Sequence, residues 1–237
     1  MIFWLAAMVL APTPEYLVVD GIAVGQLSGS TWAPARVTGD SIVFGASEVG
    51  IANAGGRVAN VRFVNSSQGT WIQAMNAPDE GILFTGKAWV PREVEPVLNR
   101  SEIISTVTQF VLNRGLARPQ PYLANVWEID LDGDGEKEQI VEATSNPRAR
   151  SEEPTWQAVL LRMRDRVYPL SMSFPKAGEG LARCRLRAVA DFDGDGRMEL
   201  VSTAIQDSLF VSTIWTFREG KLLPVVDTTV EISALLG

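Results

Sequence analysis

Two stretches of this 237-residue chain crowd carboxylates so closely that they repel unless a cation sits among them. The first, DLDGDGEKE, places Asp130, Asp132 and Asp134 on alternate positions and closes with Glu138. The second, DFDGDGRME, repeats the pattern with Asp191, Asp193, Asp195 and Glu199. Short acidic side chains on alternate residues of a tight turn converge on one point. A hard cation taking about six to eight oxygen ligands suits such a point. The backbone carbonyls of Glu136 and Arg197 offer one further oxygen per loop. Gly135 and Gly196 supply a bend that a side chain would obstruct. The expected cofactor is therefore calcium, one ion in each loop. Magnesium fits less well, because it demands strict octahedral geometry and keeps its waters.

Two other readings compete for these loops. An EF-hand needs a bidentate Glu at its twelfth position and a helix on either side. Position twelve is Val141 in one loop and Ser202 in the other, and the flanks VWEI, QIVEA and RAVA are strand-like. An ordinary metal-free Asp-Gly turn would account for one loop taken alone. Three aspartates and a glutamate at ligand spacing, occurring twice, favour metal.

The pattern D-x-D-G-D-G-x-x-E, followed by apolar residues, resembles the calcium loop of FG-GAP/VCBS-type repeats. These occur in integrin-like propellers and in many secreted bacterial proteins. The resemblance covers about residues 98–230, and its specific part is the two loops. It implies calcium held between β-strands of blade-like units. Two blades are too few to close a propeller, which takes about four or more, and no family activity is carried over.

The elements that position the loops follow from periodicity. Residues 15–97 are short apolar runs broken by Gly, Ser, Asn and Pro, which predicts an N-terminal β region. The segment NRSEIISTVTQFVLNRGL predicts one helix with an apolar stripe at Ile103, Ile104, Val107, Phe110 and Val111. Asn99 as N-cap and Glu102 three residues on would form a capping box, and Gly115 would stop the helix. Beyond it the chain repeats: Asp191 lies 61 positions after Asp130, and each copy reads strand, acidic loop, strand, hairpin. The hairpins are expected to turn at Asp165 and at Glu219-Gly220. The expectation is an α+β, mostly β chain with two antiparallel four-stranded meanders, about 125–170 and 187–227, within a unit spanning 98–237. The meanders must pack on each other, on the helix or on the N-terminal region.

Composition narrows the function. A net charge of −7 argues against nucleic acid, since an acidic surface gains nothing from counterion release. The chain has no histidine, which removes Ser-His and Cys-His nucleophile pairs and His-ligated zinc. Its one cysteine, Cys184, cannot form an internal disulfide. Flanking Arg183 and Arg185 would favour a reactive thiolate, but a buried strand position is the better reading. Residues 1–14, MIFWLAAMVLAPTP, are too short an apolar run to span a bilayer and suit a secretory signal without its basic start. The segment GILFTGKA, residues 81–88, matches part of a phosphate loop but ends in Ala88 where a hydroxyl belongs, so it reads as strand and turn. Asn65 and Asn99 begin glycosylation sequons by pattern alone.

The expectation is a non-catalytic, calcium-stabilised module that is secreted, periplasmic or on the cell surface. Its role would be structural or to bind a glycan or envelope protein, with no nucleic acid and no further membrane association. Among the seven tryptophans, Trp127 and Trp215 fall on core strands, while Trp32 and Trp71 are the candidates for exposed contact. The alternative is a carboxylate-dependent glycoside hydrolase or a calcium-assisted phosphoester hydrolase. The acids outside the loops open to a glycosidase include Glu93, Glu95, Glu142, Glu152, Glu153 and Asp207, none of which stands out as a pair, while a phosphoester hydrolase would use the loop aspartates directly.

Overall fold

Turn-forming residues divide the chain into short strands that assemble as three antiparallel sheets. The computed structural model describes residues 13–36, 43–51, 54–66, 69–74, 81–89, 94–97, 100–117, 119–145, 154–164, 166–176, 179–218 and 221–232. The apolar segment 1–14 falls almost wholly outside these, as do Glu93, Glu152, Glu153 and the turns at Asp165 and Glu219-Gly220. Among the described residues no helix is long and apolar enough to cross a membrane.

The first sheet takes β1 (Glu15–Val19), β2 (Ile22–Ser28), β3 (Thr31–Pro34), β4 (Val43–Val49), β5 (Ala54–Ser66), β6 (Gly69–Ala74) and β7 (Ile82–Phe84). Their order is β1-β7-β4-β5-β6-β2-β3, and β2 also pairs with β1. Between β1 and β2, Asp20 and Gly21 both have positive φ, the backbone that a two-residue hairpin requires. The residues compared with a phosphate loop form buried β7 and the turn after it.

The second sheet is β12-β11-β10-β9-β8, with β8 (Glu95–Pro96), β9 (Pro121–Ile129), β10 (Glu138–Ser145), β11 (Gln157–Met163) and β12 (Arg166–Ser173). The third is β13-β14-β15-β16, with β13 (Arg183–Ala190), β14 (Glu199–Gln206), β15 (Leu209–Arg218) and β16 (Lys221–Glu231). Strands β9–β12 and β13–β16 are the two meanders expected from the repeat. Pairing of Met163 with Arg166 and of Arg218 with Lys221 leaves two residues for each terminal hairpin turn.

The sheets stack, and the stacking explains why the central strands read as unbroken apolar runs instead of alternating ones. One face of the second sheet meets the helix α1 (Ser101–Leu112), through Ile103, Val107, Phe110 and Val111 against Leu123, Val141 and Leu160. Its other face meets the third sheet, with Ile129, Ile140 and Leu161 against Leu186, Val189 and Leu200. The third sheet's far side packs on the first, with Ala188, Val201 and Ile214 against Leu17, Val24 and Phe84. The layers therefore run helix, second sheet, third sheet, first sheet.

Three expectations are corrected. Asn99 lies outside the described residues, and the helix N-cap is Arg100, which makes no side-chain cap. Its guanidinium instead donates to the carbonyls of Val97 and Leu123, anchoring the helix start to β9. Glu102 pairs with Arg162 on β11, so it is not free to close a capping box. Ile104 is 42% exposed, because the stripe that meets β9 is narrower than its apolar spacing implies. Trp32 is buried at 8% exposure, since its alternate position on β3 turns it inward, edge-on to Phe192 at 5.9 Å. The side chain of Trp71 lies outside the described residues. Trp127 and Trp215 are half-buried and pack on the core between the second and third sheets, as expected. At Gly115, φ of +87° ends the helix in the left-handed region that favours glycine.

Candidate metal centres

Each acidic loop joins the first two strands of its meander, β9 to β10 and β13 to β14, and the two have the same internal wiring. In the first, Asp130 accepts from the N–H groups of Gly133 (2.8 Å) and Gly135 (3.1 Å). Asp132 accepts from Asp134 N at 3.3 Å and Asp134 from Glu136 N at 2.7 Å. Glu138 reaches back to Leu131 N at 2.9 Å. In the second, Asp191 accepts from Gly194 (2.6 Å) and Gly196 (2.9 Å). Asp193 accepts from Asp195 N, Asp195 from Arg197 N, and Glu199 from Phe192 N at 2.9 Å. The backbone thus folds around its own carboxylates. Gly133, Gly135, Gly194 and Gly196 all have φ near +80 to +90°, where a side chain would strain the turn.

This wiring brings one carboxylate oxygen each of Asp130, Asp132 and Glu138 within 4.8 Å of one another, and likewise Asp191, Asp193 and Glu199. Two acidic clusters that could hold a metal ion are therefore present. The donor set is all oxygen, which suits a hard cation. Asp134 and Asp195 lie outside the close groups. Asp134 caps the turn and pairs with Arg164 at 3.3 Å, while Asp195 caps the equivalent turn. Glu136 and Arg197 each follow directly on those aspartates, and Glu136 also faces Arg164 at 3.6 Å.

The closing glutamates sit in an environment hostile to charge. Glu138 is 5% exposed and Glu199 fully buried. Burial is the main reason that the carboxyl of Glu138 is pushed up to about 7; the Leu131 N–H opposes it, and Asp132, Asp134 and Asp130 reinforce it. Glu199 is pushed up to about 8, again chiefly by burial, against the Phe192 N–H and with Asp193 adding repulsion. Asp193 is also raised, first by burial. A cation between the carboxylates would reverse these shifts.

Three features of the site carried no local sequence signal. Thr216 on β15 donates to Glu199 Oε1 at 3.2 Å, a contact that arises only from the pairing of β14 with β15. The loops also touch: Met198 N donates to Leu131 O at 2.8 Å, and Gly133 lies close beside the Gly196 carbonyl. Trp89 pairs its backbone with Asp191 in both directions, at 2.9 and 2.8 Å, and its ring lies over Gly194. Trp89 is 42% exposed, with the Lys87 ammonium 4.7 Å from its ring centroid.

Other candidate residues have structural partners. Cys184 is buried, and burial pushes its thiol up, so it is not an activated nucleophile. Glu95 pairs with Lys137 at 2.8 Å. Asp207 sits at the hairpin between β14 and β15 with φ +51°. Glu142, on β10, accepts from Leu186 N of the facing sheet at 2.9 Å and from Asn125.

No family model, curated protein or solved structure matches this chain.

Proposed function

We propose that the chain is a calcium-stabilised, non-catalytic module of the cell envelope, secreted or exposed at the cell surface, in the manner of FG-GAP/VCBS-type repeats. The observation that carries this reading is the pair of closing glutamates. Glu138 and Glu199 are buried carboxylates, each aimed at two aspartates, in the same geometry twice over. Uncompensated charge in such surroundings is costly, and a divalent ion removes the cost. Calcium is the ion of choice because it accepts irregular all-oxygen sites; the carbonyls of Glu136 and Arg197 would add ligands, and Asp134 and Asp195 would do so on turning in from their present partners. Export is part of the same proposal. Extracellular calcium modules typically bind at about 10⁻⁴ to 10⁻³ M, so such sites fill outside a cell and stand largely empty within one. With the ions in place, the loops lock the ends of both meanders, and the stacked sheets present a rigid surface for a glycan or an envelope protein.

Calorimetric titration of metal-free protein with calcium tests the reading, alongside melting with and without the ion. Heat of binding at two sites and a raised melting temperature are expected. Absence of heat together with an unchanged melt would overturn it.

A further inference from the structure

Away from the acidic loops, the three sheets meet around an open cleft of about 540 Å³, within the range of small-molecule sites. Its wall is unusual for a chain of net charge −7, because Arg183, Arg185 and Arg187 of β13 all line it. Only part of that charge is answered. Arg187 is bound to Asp20 at the first hairpin. Arg185 stands 3.9 Å from Glu142, a carboxylate already engaged by Asn125 and Leu186 N. Arg183 has no ion-pair partner among the described residues.

Two further groups shape the cleft. Thr203, the cross-strand neighbour of Arg185, lines it while only 2% exposed, and its hydroxyl has no hydrogen-bond partner. A buried hydroxyl without a partner is costly, and rotation of the side chain towards the cleft would offer it to a ligand hydroxyl or ring oxygen. Half-buried Trp127 supplies an indole surface at the wall. Surplus guanidinium groups match a carboxylate through paired charge-assisted hydrogen bonds, and an indole beside a polar hydroxyl suits the mixed apolar and hydroxylated faces of a sugar ring.

We infer that this cleft binds an acidic saccharide, a sugar unit whose carboxylate is held by Arg183 and Arg185 and whose ring lies against Trp127 and Thr203. The inference takes the binding half of the function proposed above and gives it a ligand class; it does not depend on the metal.

Calorimetry with digalacturonate, a neutral galactose disaccharide and inorganic sulfate tests it, on the whole chain at about 1 mM calcium. Digalacturonate is expected to bind at least roughly tenfold more tightly than the neutral sugar or sulfate. Arg183→Ala and Arg185→Ala should each weaken it by about tenfold, since both side chains are exposed and their loss leaves the fold intact. Thr203→Val, close in shape, should weaken binding without lowering the melting temperature. Failure of digalacturonate to bind, sulfate binding as tightly, or unchanged binding by both arginine variants would overturn the assignment. Neutral sugar held equally by wild type and variants would also overturn it, while leaving a glycan-binding role for the module in place.

Discussion

Replacing Glu199 by Gln should stabilise the metal-free protein and destabilise the calcium-loaded one. The side chain is fully buried, and its folded-state carboxyl lies at about 8 against an ordinary 4.5. Above that ordinary value the unfolded chain is ionised while the fold resists ionisation. At about pH 8 the metal-free fold therefore carries a penalty of roughly 3 to 5 kcal/mol at this one residue. An amide of the same shape escapes it. The amide oxygen can still accept from Phe192 N and its NH₂ can donate to the Thr216 hydroxyl, at a cost of about 1 to 2 kcal/mol in imperfect geometry. The net gain of about 2 kcal/mol corresponds to a melting temperature raised by about 4 to 8 °C for a chain of this size. At about pH 5 the wild-type carboxyl is protonated in the fold and the gain vanishes. In calcium at about a hundredfold over its dissociation constant, the wild type gains about 2.7 kcal/mol by linkage, which the variant forfeits at this loop. Differential scanning fluorimetry of both proteins, with and without calcium, reads all four values at each pH. A variant that melts below wild type without metal near pH 8, or gains as much from calcium, would refute the reasoning.

Two further outcomes follow from the same physics. Metal-free wild type should lose stability as pH rises from about 4.5 through about 7 and then 8. Glu138 and Glu199 both have raised folded-state values, so their contribution is complete below the ordinary carboxyl value and lost through the shifted ones. Chemical denaturation across that range checks it, and a profile that rises towards pH 8 without metal would contradict it. Glu142→Ala strands the buried N–H of Leu186 between the second and third sheets and should cost about 2 to 4 kcal/mol, whereas Glu142→Gln keeps the acceptor and should cost less than half of that. Urea unfolding separates the two, and equal losses would show that charge, not the acceptor, matters there.

The acidic loops were legible because their ligands are local: spacing within nine residues fixes which side chains can converge. The meanders were legible because a repeated acidic turn marks the same strand junction twice. What lay beyond the sequence depends on register between distant strands. Thr216 reaches Glu199 only because β14 and β15 pair as they do, and no motif marks it. Trp32 stands beside Gly and Ser turn residues that suggest exposure, yet the pleat of β3 points it at Phe192. The helix starts after Arg100 because that side chain is drawn to β9, a tertiary contact that overrides the local capping pattern. The arginines of β13 read as a simple alternation, and the other walls of their cleft come from all three sheets, from Asp20 near the start of the chain to Ile205 on β14.

The layer order has a consequence for how the chain must be made. The third sheet, sandwiched between the other two, is the last to leave the ribosome. Until β13–β16 are complete, Leu17 and Phe84 on one side and Ile140 and Leu161 on the other have no partner surface. The facing apolar surfaces of the first two sheets are therefore covered only when the C-terminal meander lies between them. Such late, long-range closure makes for slow folding and a prolonged exposure of apolar faces. A chain built this way buries its largest apolar faces only when its third sheet closes the stack.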